Sequence, residues 1–468
     1  MNYFSFFYLG IFTLLISILS FFNIIYSYYF NLYLSIDNYV YSLLASLLLT
    51  IFFLIKRKIN LKITIYHKIL TVIFGYFFLP LILSIPFFFS IHNITFLDSY
   101  FETVSGFTST GFSIFENIKH LDQSLILWRS SIQWLGGLYF LISIILLIDI
   151  FDNNLKKSLT NFISFDISET LKQSIKIIIL YSILTFFIFI ILKFFDFRTF
   201  DSFNLSMSLI SSGGFLPFNN LSLILDSNTK EVVFSFLMLV SFFSIFLTYN
   251  LFYLRNKNIN FFHEDIYLFF YLLFIIIIFF SFLNFENDFS KLFFSIISSI
   301  SNTGYSLNKT PNHLTFIFLI LVIIGGSFFS TSSGIRFLKL YILFKFSLQN
   351  LISHVRPKNV SVNKEPFSEI NFDKIIINKY FLSVLIFIIS LFMLSSFLTF
   401  FGISFENSFK VSILTLMNTV NSSLYGVEEF NFQNLQFIIK HFLIIFMIIG
   451  RVELLTVLII LKKFLFKN

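Results

Sequence analysis

Residues 104–112 read VSGFTSTGF, a run of small hydroxyl residues and glycines in a chain otherwise dominated by long apolar segments. Related stretches follow as ISSGGF at 210–215, ISNTGY at 300–305 and MNTVNSS at 417–423. Irregular backbone is tolerated at membrane depth only where it is buried in protein or lines a watery cavity. The four stretches therefore predict one shared site rather than four unrelated turns.

The composition is that of a protein with many membrane spans. Of 468 residues, 57% are hydrophobic and 12% are charged, whereas roughly a quarter are charged in soluble domains. Cys is absent, which excludes disulfides and thiolate metal sites. The net charge of +8 fits the cytoplasmic loops of a membrane protein better than a surface for nucleic acid.

Ten apolar runs are long enough to cross a bilayer. They cover residues 3–22, 39–55, 69–91, 125–150, 174–195, 231–254, 266–284, 314–344, 375–401 and 437–464. If all ten are spans, the basic loops fall on one side of the membrane, which identifies that side as the cytoplasm. Both termini are predicted to lie on this side.

The opposite side carries four longer connections, and each contains one of the glycine and hydroxyl stretches. In each connection, a short helix with an acidic residue near its start precedes the stretch. Because all four stretches face the same side, the repeats are parallel and not inverted. The predicted fold is an all-α polytopic membrane protein with four span, pore-loop and span repeats in a pseudo-fourfold arrangement.

Glycine and hydroxyl residues in this arrangement suit a cation filter. Four short helices around one axis would aim four strips of backbone at a common pore, where carbonyl oxygens replace the hydration shell of a cation. Glycine allows the positive φ that turns carbonyls inward, and Ser and Thr add hydroxyl groups. Acidic residues of the outer connections, such as Asp98, Glu102, Glu116 and Asp226, would together concentrate cations at the mouth. For any single one of them, an ordinary solvated loop is the preferred interpretation.

Four longer motifs match a known family. FETVSGFTSTGF at 101–112 resembles its first pore loop, and LILWRSSIQWLGGLYFLI at 125–142 resembles the following span. IIGGSFFSTSSGIR at 323–336 and IIGRVELLTVLII at 448–460 resemble a small-residue membrane loop and the last span. The chain thus resembles the Trk/Ktr/HKT superfamily of potassium transporters, most closely the TrkH type. The similarity begins at about residue 66, and the two spans before it resemble the extra amino-terminal pair of that type.

The resemblance implies a K⁺ filter built mainly from main-chain carbonyls. Its residues would be Ser109, Thr110, Gly111, Ser212, Gly213, Gly214, Asn302, Thr303, Gly304, Thr419, Val420 and Asn421. Asn421 stands where the family pattern has glycine, and Asn tolerates positive φ better than most residues. Asn418 offers a second possible register for this strip.

Two further elements are implied by the resemblance. An intramembrane loop under the filter would gate permeation through Gly325, Gly326, Ser327, Ser330, Thr331, Ser332, Ser333 and Gly334. Small residues of this kind also serve close helix packing. Arg451 lies inside the last span, where a charge is costly and usually faces a cavity or a partner. The resemblance places it near the pore below the filter, and pairing with carbonyls or an acid on another helix is the alternative.

The resemblance also implies the function and the partners. The expected activity is K⁺ uptake across a bacterial inner membrane by a homodimer in contact with lipid. A cytosolic ring protein that binds NAD or ATP would regulate it, docking on the basic segment 345–379. K⁺ is the transported ion, and neither an organic cofactor nor nucleic acid is expected. The predicted boundaries are 1–62 for the two extra spans and 63–155, 156–258, 259–350 and 351–468 for the repeats.

Three alternative functions compete with K⁺ uptake. A Na⁺-permeable or Na⁺-coupled cation transporter is the main alternative, because the fourth strip departs from the family pattern. A solute symporter of unrelated fold would need inverted repeats and a midplane pocket, and neither is indicated. An enzyme is not predicted, because the sequence contains neither HExxH nor Gly-x-Ser-x-Gly.

Overall fold

The protein is helical and built to cross a membrane. A computed structural model describes residues 3–55, 65–151, 167–245, 262–282, 289–307, 312–353, 374–427, 430–452 and 456. Within these ranges, seven helices are long and apolar enough to span a bilayer, and they match seven of the ten predicted runs. The predicted all-α polytopic membrane fold is therefore confirmed at this level.

The helices of the described residues are named here in chain order. They are α1 (Tyr3–Tyr29), α2 (Ile36–Ile55), α3 (Ile65–Leu83), α4 (Ile85–Ser90), α5 (Phe96–Phe107), α6 (Gln123–Phe151), α7 (Ile167–Phe194), α8 (Thr199–Ile210), α9 (Asn228–Phe242), α10 (Phe262–Phe282), α11 (Phe289–Ile300), α12 (Asn312–Ile323), α13 (Phe337–Ser353), α14 (Lys374–Phe400), α15 (Phe405–Leu416) and α16 (Phe437–Val452).

The predicted span at 314–344 is interrupted by its small residues, as the sequence indicated. Helix α12 ends at Ile323, and α13 begins at Phe337. Between them, strand β1 (Ile324–Gly325) pairs in parallel with strand β2 (Ile335–Arg336) around a loop of small residues. Glycine and serine disfavour continuous helix, and the close strand pairing needs Gly325, because a Cβ there would lie 2.1 Å from Ser333 O.

Two other predicted spans are only partly described. The run at 231–254 begins as α9, which ends at Phe242, and residues 246–261 lie outside the described ranges. The run at 437–464 begins as α16, and of its residues after Val452 only Thr456 is described. The basic residues at 56–62, 156–157 and 255–257 also lie outside the described residues, as do residues 354–373 of the long basic segment 336–379.

Four helices of equal length precede the four glycine and hydroxyl stretches, at the predicted places. They are α5, α8, α11 and α15, each 12 residues long, and are called the four short helices below. Helix α5 begins at a clear capping signal, since the Thr95 hydroxyl accepts a hydrogen bond from Asp98 N at 3.2 Å. A 12-residue helix is about 18 Å long, too short to cross the apolar core of a bilayer.

Helix α6 occupies the centre of the fold. In the most apolar 18-residue segment of α6, 94% of the residues are buried, whereas in the other six spans this share lies between 28% and 56%. It packs directly on the end of α5, because a Cβ added to Gly136 would lie 2.0 Å from Phe107 O. On the periphery, Ile175, Ile179 and Ile183 form an exposed stripe along α7, as expected of a surface that faces lipid.

An aromatic cluster connects the amino-terminal helices to this centre. The rings of Phe12 on α1 and Tyr139 on α6 have centroids 4.7 Å apart, and Tyr76 on α3 meets Tyr139 at 4.8 Å. Phe107, the last residue of α5, lies 5.3 Å from the same ring. Tyr139 therefore joins α1, α3 and the end of the first short helix.

Candidate functional site

All four short helices end in the same backbone turn. The residue two positions after each helix has a positive φ, which reverses the chain direction. These residues are Ser109 at 57°, Ser212 at 51°, Asn302 at 60° and Asn418 at 47°. The segments that contain the turns, here called strips 1 to 4, are residues 108–112, 211–215, 301–305 and 417–421.

Backbone hydrogen bonds fix the register of the strips against their helices. The four turn residues with positive φ are called left-handed residues below. In strips 1, 2 and 4, the N–H of the residue that follows the left-handed residue donates to the carbonyl five residues earlier. These bonds are Thr110 N to Ser105 O at 2.9 Å, Gly213 N to Ser208 O at 2.8 Å and Thr419 N to Leu414 O at 3.0 Å. In strip 3, Gly304 N reaches Ser298 O at 3.2 Å, matching Gly111 N to Ser105 O at 3.3 Å in strip 1.

The four strips meet at one point. A Cβ added to Gly111 would lie 3.0 Å from Gly214 Cα and 3.0 Å from Val420 Cγ2. A Cβ added to Gly304 would lie 2.9 Å from Val420 O. Together with Asn421, these residues line the same cavity of about 650 Å³. The structure thus brings together residues that the sequence places more than 300 positions apart.

A serine in three of the short helices supports the residue after the glycine. Each hydroxyl donates to the carbonyl seven residues later, and the residue there is aromatic. The bonds are Ser105 Oγ to Phe112 O at 2.7 Å, Ser208 Oγ to Phe215 O at 3.1 Å and Ser298 Oγ to Tyr305 O at 2.7 Å. Helix α15 has Leu414 at this position, which offers no hydroxyl, and Asn421 follows seven residues later.

The register predicted for strip 4, with Asn421 at the glycine position, is wrong. Because α15 ends at Leu416, the left-handed turn falls on Asn418, and Val420 becomes level with Gly111, Gly214 and Gly304. Asn421 takes the place of the aromatic residue that follows each glycine. The sequence held a signal for this register, since Asn-Thr at 302–303 precedes Gly304 and the same pair at 418–419 precedes Val420.

The left-handed residues also connect the strips to the elements around them, which the sequence did not predict. Their side chains contact α16, α12 and the loop between β1 and β2. The contacts are Ser109 Oγ with Arg451 Nη2 at 3.3 Å, Ser212 Oγ with Thr331 O at 2.9 Å, Asn302 Nδ2 with Val322 O at 2.8 Å and Asn418 Nδ2 with Met447 O at 2.9 Å.

The loop Gly325–Gly334 is folded into the protein interior beside strip 2. Its hydroxyl residues are buried, and Thr331 Oγ1 donates to Ile210 O, the last residue of α8, at 2.7 Å. Arg336 holds the loop closed, because its Nη1 donates to Ser327 O at 3.0 Å and to Ser332 O at 2.9 Å. Glu264 on α10 accepts from Phe328 N at 2.9 Å.

Arg451 connects this loop to strip 1. It is 1% exposed, and its guanidinium donates to Ser333 Oγ as well as to Ser109 Oγ. The Phe140 ring lies 4.0 Å from Arg451 Cζ and 5.0 Å from Arg336 Cζ, so two cations share one aromatic ring. The structure therefore places positive charge directly behind the left-handed turn of strip 1.

Glu102 is not at the mouth, contrary to the prediction for this acid. It is fully buried, and its Oε1 lies 2.9 Å from Arg129 Nη2, which is 1% exposed. Glu102 Oε2 accepts from Ile114 N at 2.9 Å, and the Arg129 guanidinium lies 4.1 Å from the centroid of the Phe215 ring. The ion pair therefore joins strip 1 to strip 2.

The other predicted acids divide between the cavity and the outer surface. Glu116 lines the cavity. Asp98 forms a 2.5 Å ion pair with Lys440, which joins the start of α5 to α16. Asp226 is exposed, and a hydrogen bond from Lys230 holds the pKa of its carboxyl below the ordinary value. Of these acids, Glu116 is the one placed to attract cations into the cavity.

Comparisons with known proteins find relatives along nearly the whole chain. An uncharacterized cation transporter of Methanocaldococcus jannaschii is 25% identical, covering 98% of this chain and 94% of that protein. The Trk system potassium uptake proteins TrkH and TrkG of Escherichia coli are 24% and 28% identical, covering 81% and 80% of this chain and the same shares of their own lengths. No protein-family model matches the chain.

A solved structure shares the fold. The crystal structure of the potassium transporter TrkH from Vibrio parahaemolyticus superposes with a TM-score of 0.80 at 20% sequence identity. The match covers 98% of this chain and 99% of that one. The arrangement of helices described above is therefore that of a known membrane protein.

Replacing Glu102 by Ala should destabilise the protein strongly. The substitution leaves the Arg129 charge buried without its partner, which typically costs about 3–5 kcal/mol of folding free energy. We expect a clear fall in the Tm of the detergent-solubilised protein, measured by size-exclusion chromatography after heating.

Two control variants separate this effect from loss of side-chain volume. The double variant Glu102→Leu with Arg129→Met removes both charges and should recover much of the Tm. Asp226→Ala breaks an exposed ion pair and should leave the Tm unchanged. An equal fall in Tm for Glu102→Ala and Asp226→Ala would contradict the bracing role of the buried pair.

Proposed function

We propose that this chain, which is a TrkH-type membrane protein, takes up K⁺ through a filter formed by strips 1 to 4. The resemblance inferred from its motifs is confirmed by relatives that cover most of its length and by a shared fold. The relatives carry the names of transporters and not of enzymes, in agreement with the sequence prediction. The Escherichia coli relatives are named potassium uptake proteins, and the proposal extends that activity to this chain.

The convergence of the four strips at the base of one cavity is the observation that carries the proposal. A cation that enters a membrane protein must exchange its water for other oxygens, and main-chain carbonyls provide them without a net charge that would trap the ion. The short helices point their carboxyl-terminal ends at the strips, which adds partial negative charge there. The filter in this proposal comprises Ser109–Gly111, Ser212–Gly214, Asn302–Gly304 and Asn418–Asn421.

The buried loop is proposed as the gate. Gly325, Gly326 and the hydroxyl residues up to Gly334 lie against α8 and strip 2, so a movement of the loop would open or close the path behind the filter. Arg451 contacts both the loop and strip 1. Its charge would raise the energy of a cation that leaves the filter and would so limit the uptake rate.

The repeats and the setting in the cell form part of the same proposal. Residues 63–155, 156–258, 259–350 and 351–468 would be four parallel repeats, and residues 1–62 two additional spans. The membrane is proposed to be the bacterial inner membrane, with both termini in the cytoplasm. The protein would act as a homodimer in lipid and dock a cytosolic nucleotide-binding ring on the basic segment 345–379.

A Na⁺-permeable transporter is the second candidate, and one observation favours it. Strip 4 has Val420 where the other strips have glycine, and its helix α15 has Leu414 where the other short helices have serine, so one quarter of the filter is built differently. Ion replacement during uptake measurements, with Na⁺ in place of K⁺, separates the two candidates.

Gly111→Asp should abolish K⁺ uptake. The new side chain would lie within about 3 Å of Gly214 and Val420 and would place a carboxylate in the filter, where it blocks the path and traps a cation. The measurement is growth of a K⁺-uptake-deficient bacterium at low K⁺, with the protein level in the membrane checked in parallel.

Gly402→Asp is the matched control, because Gly402 has a similar φ of 88° but no atom within 4 Å of an added Cβ. This variant should support growth like the unmodified protein. Growth that persists with Gly111→Asp would remove strip 1 from the filter.

Arg451→Gln should raise the initial rate of K⁺ uptake, by about two- to tenfold, because it removes a positive charge from a site of low dielectric constant. Arg451→Lys keeps the charge and should stay close to the unmodified rate, although it loses the paired hydrogen bonds. A lower rate in both variants would mean that the guanidinium supports the strip rather than opposing the ion.

Deleting residues 356–370 should remove the response of K⁺ flux to ATP or NADH in vesicles of the native membrane, while basal flux remains. Glu365→Gln with Glu369→Gln is the control, because it leaves the basic residues of the segment in place. If the nucleotide response survives the deletion, this segment is not the docking surface.

A further inference from the structure

Val420 occupies the place in strip 4 that glycine occupies in the other three strips. Asn418 takes the left-handed turn, Thr419 N bonds to Leu414 O, and Val420 follows, as Gly111 follows Ser109 and Thr110. At the position where strips 1, 2 and 3 have glycine, strip 4 therefore carries an isopropyl side chain of three carbon atoms.

The Val420 side chain points at all three glycines. An ideal Cβ on Gly214 would lie 2.4 Å from Val420 Cβ, one on Gly304 would lie 2.7 Å from Val420 Cγ1, and one on Gly111 would lie 3.0 Å from Val420 Cγ2. A single isopropyl group can approach three strips at once only if it lies between them. Val420 therefore fills the point where the strips converge.

Val420 also faces the cavity. All four residues line the cavity, but the three glycines are buried, whereas Val420 is partly exposed. An ion that moves from the cavity towards the left-handed residues Ser109 and Asn302 would meet the isopropyl group first.

The backbone explains why a valine can stand here. Gly111 and Gly304 have φ values of 76° and 72°, which a β-branched residue would adopt only with strain. Val420 is absent from the residues with positive φ, as is Gly214, so its backbone makes no demand for glycine. The side chain is therefore accommodated without strain, and its effect falls on the space at the axis.

We propose that Val420 is a hydrophobic plug at the outer end of the filter, which an ion must displace to enter. The inference rests on the proposed K⁺ uptake and adds a second residue, besides Arg451, that limits its rate. An apolar constriction offers a cation no oxygen ligands, so its size controls permeation. Rotation of the Val420 side chain or a shift of strip 4, which lacks the serine support of the other strips, would open it.

The experiment is a size series at position 420 in the full-length protein. The variants Val420→Gly, Val420→Ala and Val420→Leu are purified, reconstituted in phosphatidylethanolamine and phosphatidylglycerol vesicles, and compared for the initial rate of K⁺ uptake. Val427→Ala is the matched control, because it trims the same side chain at a buried position of the same connection that lies outside the filter and the cavity lining. Equal elution on size-exclusion chromatography verifies that the variants are folded.

We expect the uptake rate to follow the size of the side chain. Val420→Ala and Val420→Gly should be faster than the unmodified protein, with about a tenfold gain for Gly, and Val420→Leu should be slower. Val427→Ala should change the rate little. A rate that is unchanged or lower in both the Val420→Ala and the Val420→Gly variants, or a gain in Val427→Ala equal to that in Val420→Ala, would overturn the proposal.

The outcome also separates this inference from the proposed function. If the unmodified protein carries K⁺ but the series is flat, the plug is refuted and K⁺ uptake stands. If neither the unmodified protein nor Val420→Gly carries K⁺ in vesicles or in the deficient bacterium, the proposed function itself fails. A gain in K⁺ flux in Val420→Gly that Gly111→Asp abolishes would support both.

Discussion

The structure depends on one backbone constraint, which is that a helix must end inside the protein with its last carbonyls satisfied and its chain direction reversed. A left-handed residue achieves this reversal four times, at Ser109, Ser212, Asn302 and Asn418. Small polar side chains are required there because they tolerate positive φ and hydrogen-bond to their surroundings. The glycine and hydroxyl composition of the four strips follows from this turn, and the shared cavity follows from the four turns meeting.

The same turn is built with different side chains in strip 4, and this difference separates what the fold needs from what the site needs. Leu414 replaces a serine and Val420 replaces a glycine, yet the turn and its Thr419 N to Leu414 O bond are kept. The fold tolerates Val420 because its backbone is not left-handed. In strips 1 to 3, the glycine at the position equivalent to Val420 leaves open space between the strips as well as conformational freedom.

The strips, the broken loop and the last helix form one connected unit. Arg451 contacts Ser333 and Ser109, and Ser212 contacts Thr331, so the loop cannot move without changing the contacts behind strips 1 and 2. On the cavity side, the buried pair of Glu102 and Arg129 fixes strip 1 against strip 2. Strips 1 and 2 are therefore held both on the cavity side and on the side of the loop. A movement of the loop requires several of these polar contacts to break at the same time.

Long apolar runs, the hydroxyl and glycine stretches and the motif resemblance were enough to predict the all-helical membrane fold, the four short helices and the strips that follow them. These features are local, because hydrophobic length and φ preference act within a few residues. Local conformational preference did not determine the register of strip 4, because Asn418 and Asn421 both suit a left-handed turn. The end of α15 at Leu416 places the turn at Asn418. The partners of Glu102 and Arg451 and the position of Val420 among three glycines likewise arise only when distant segments pack together.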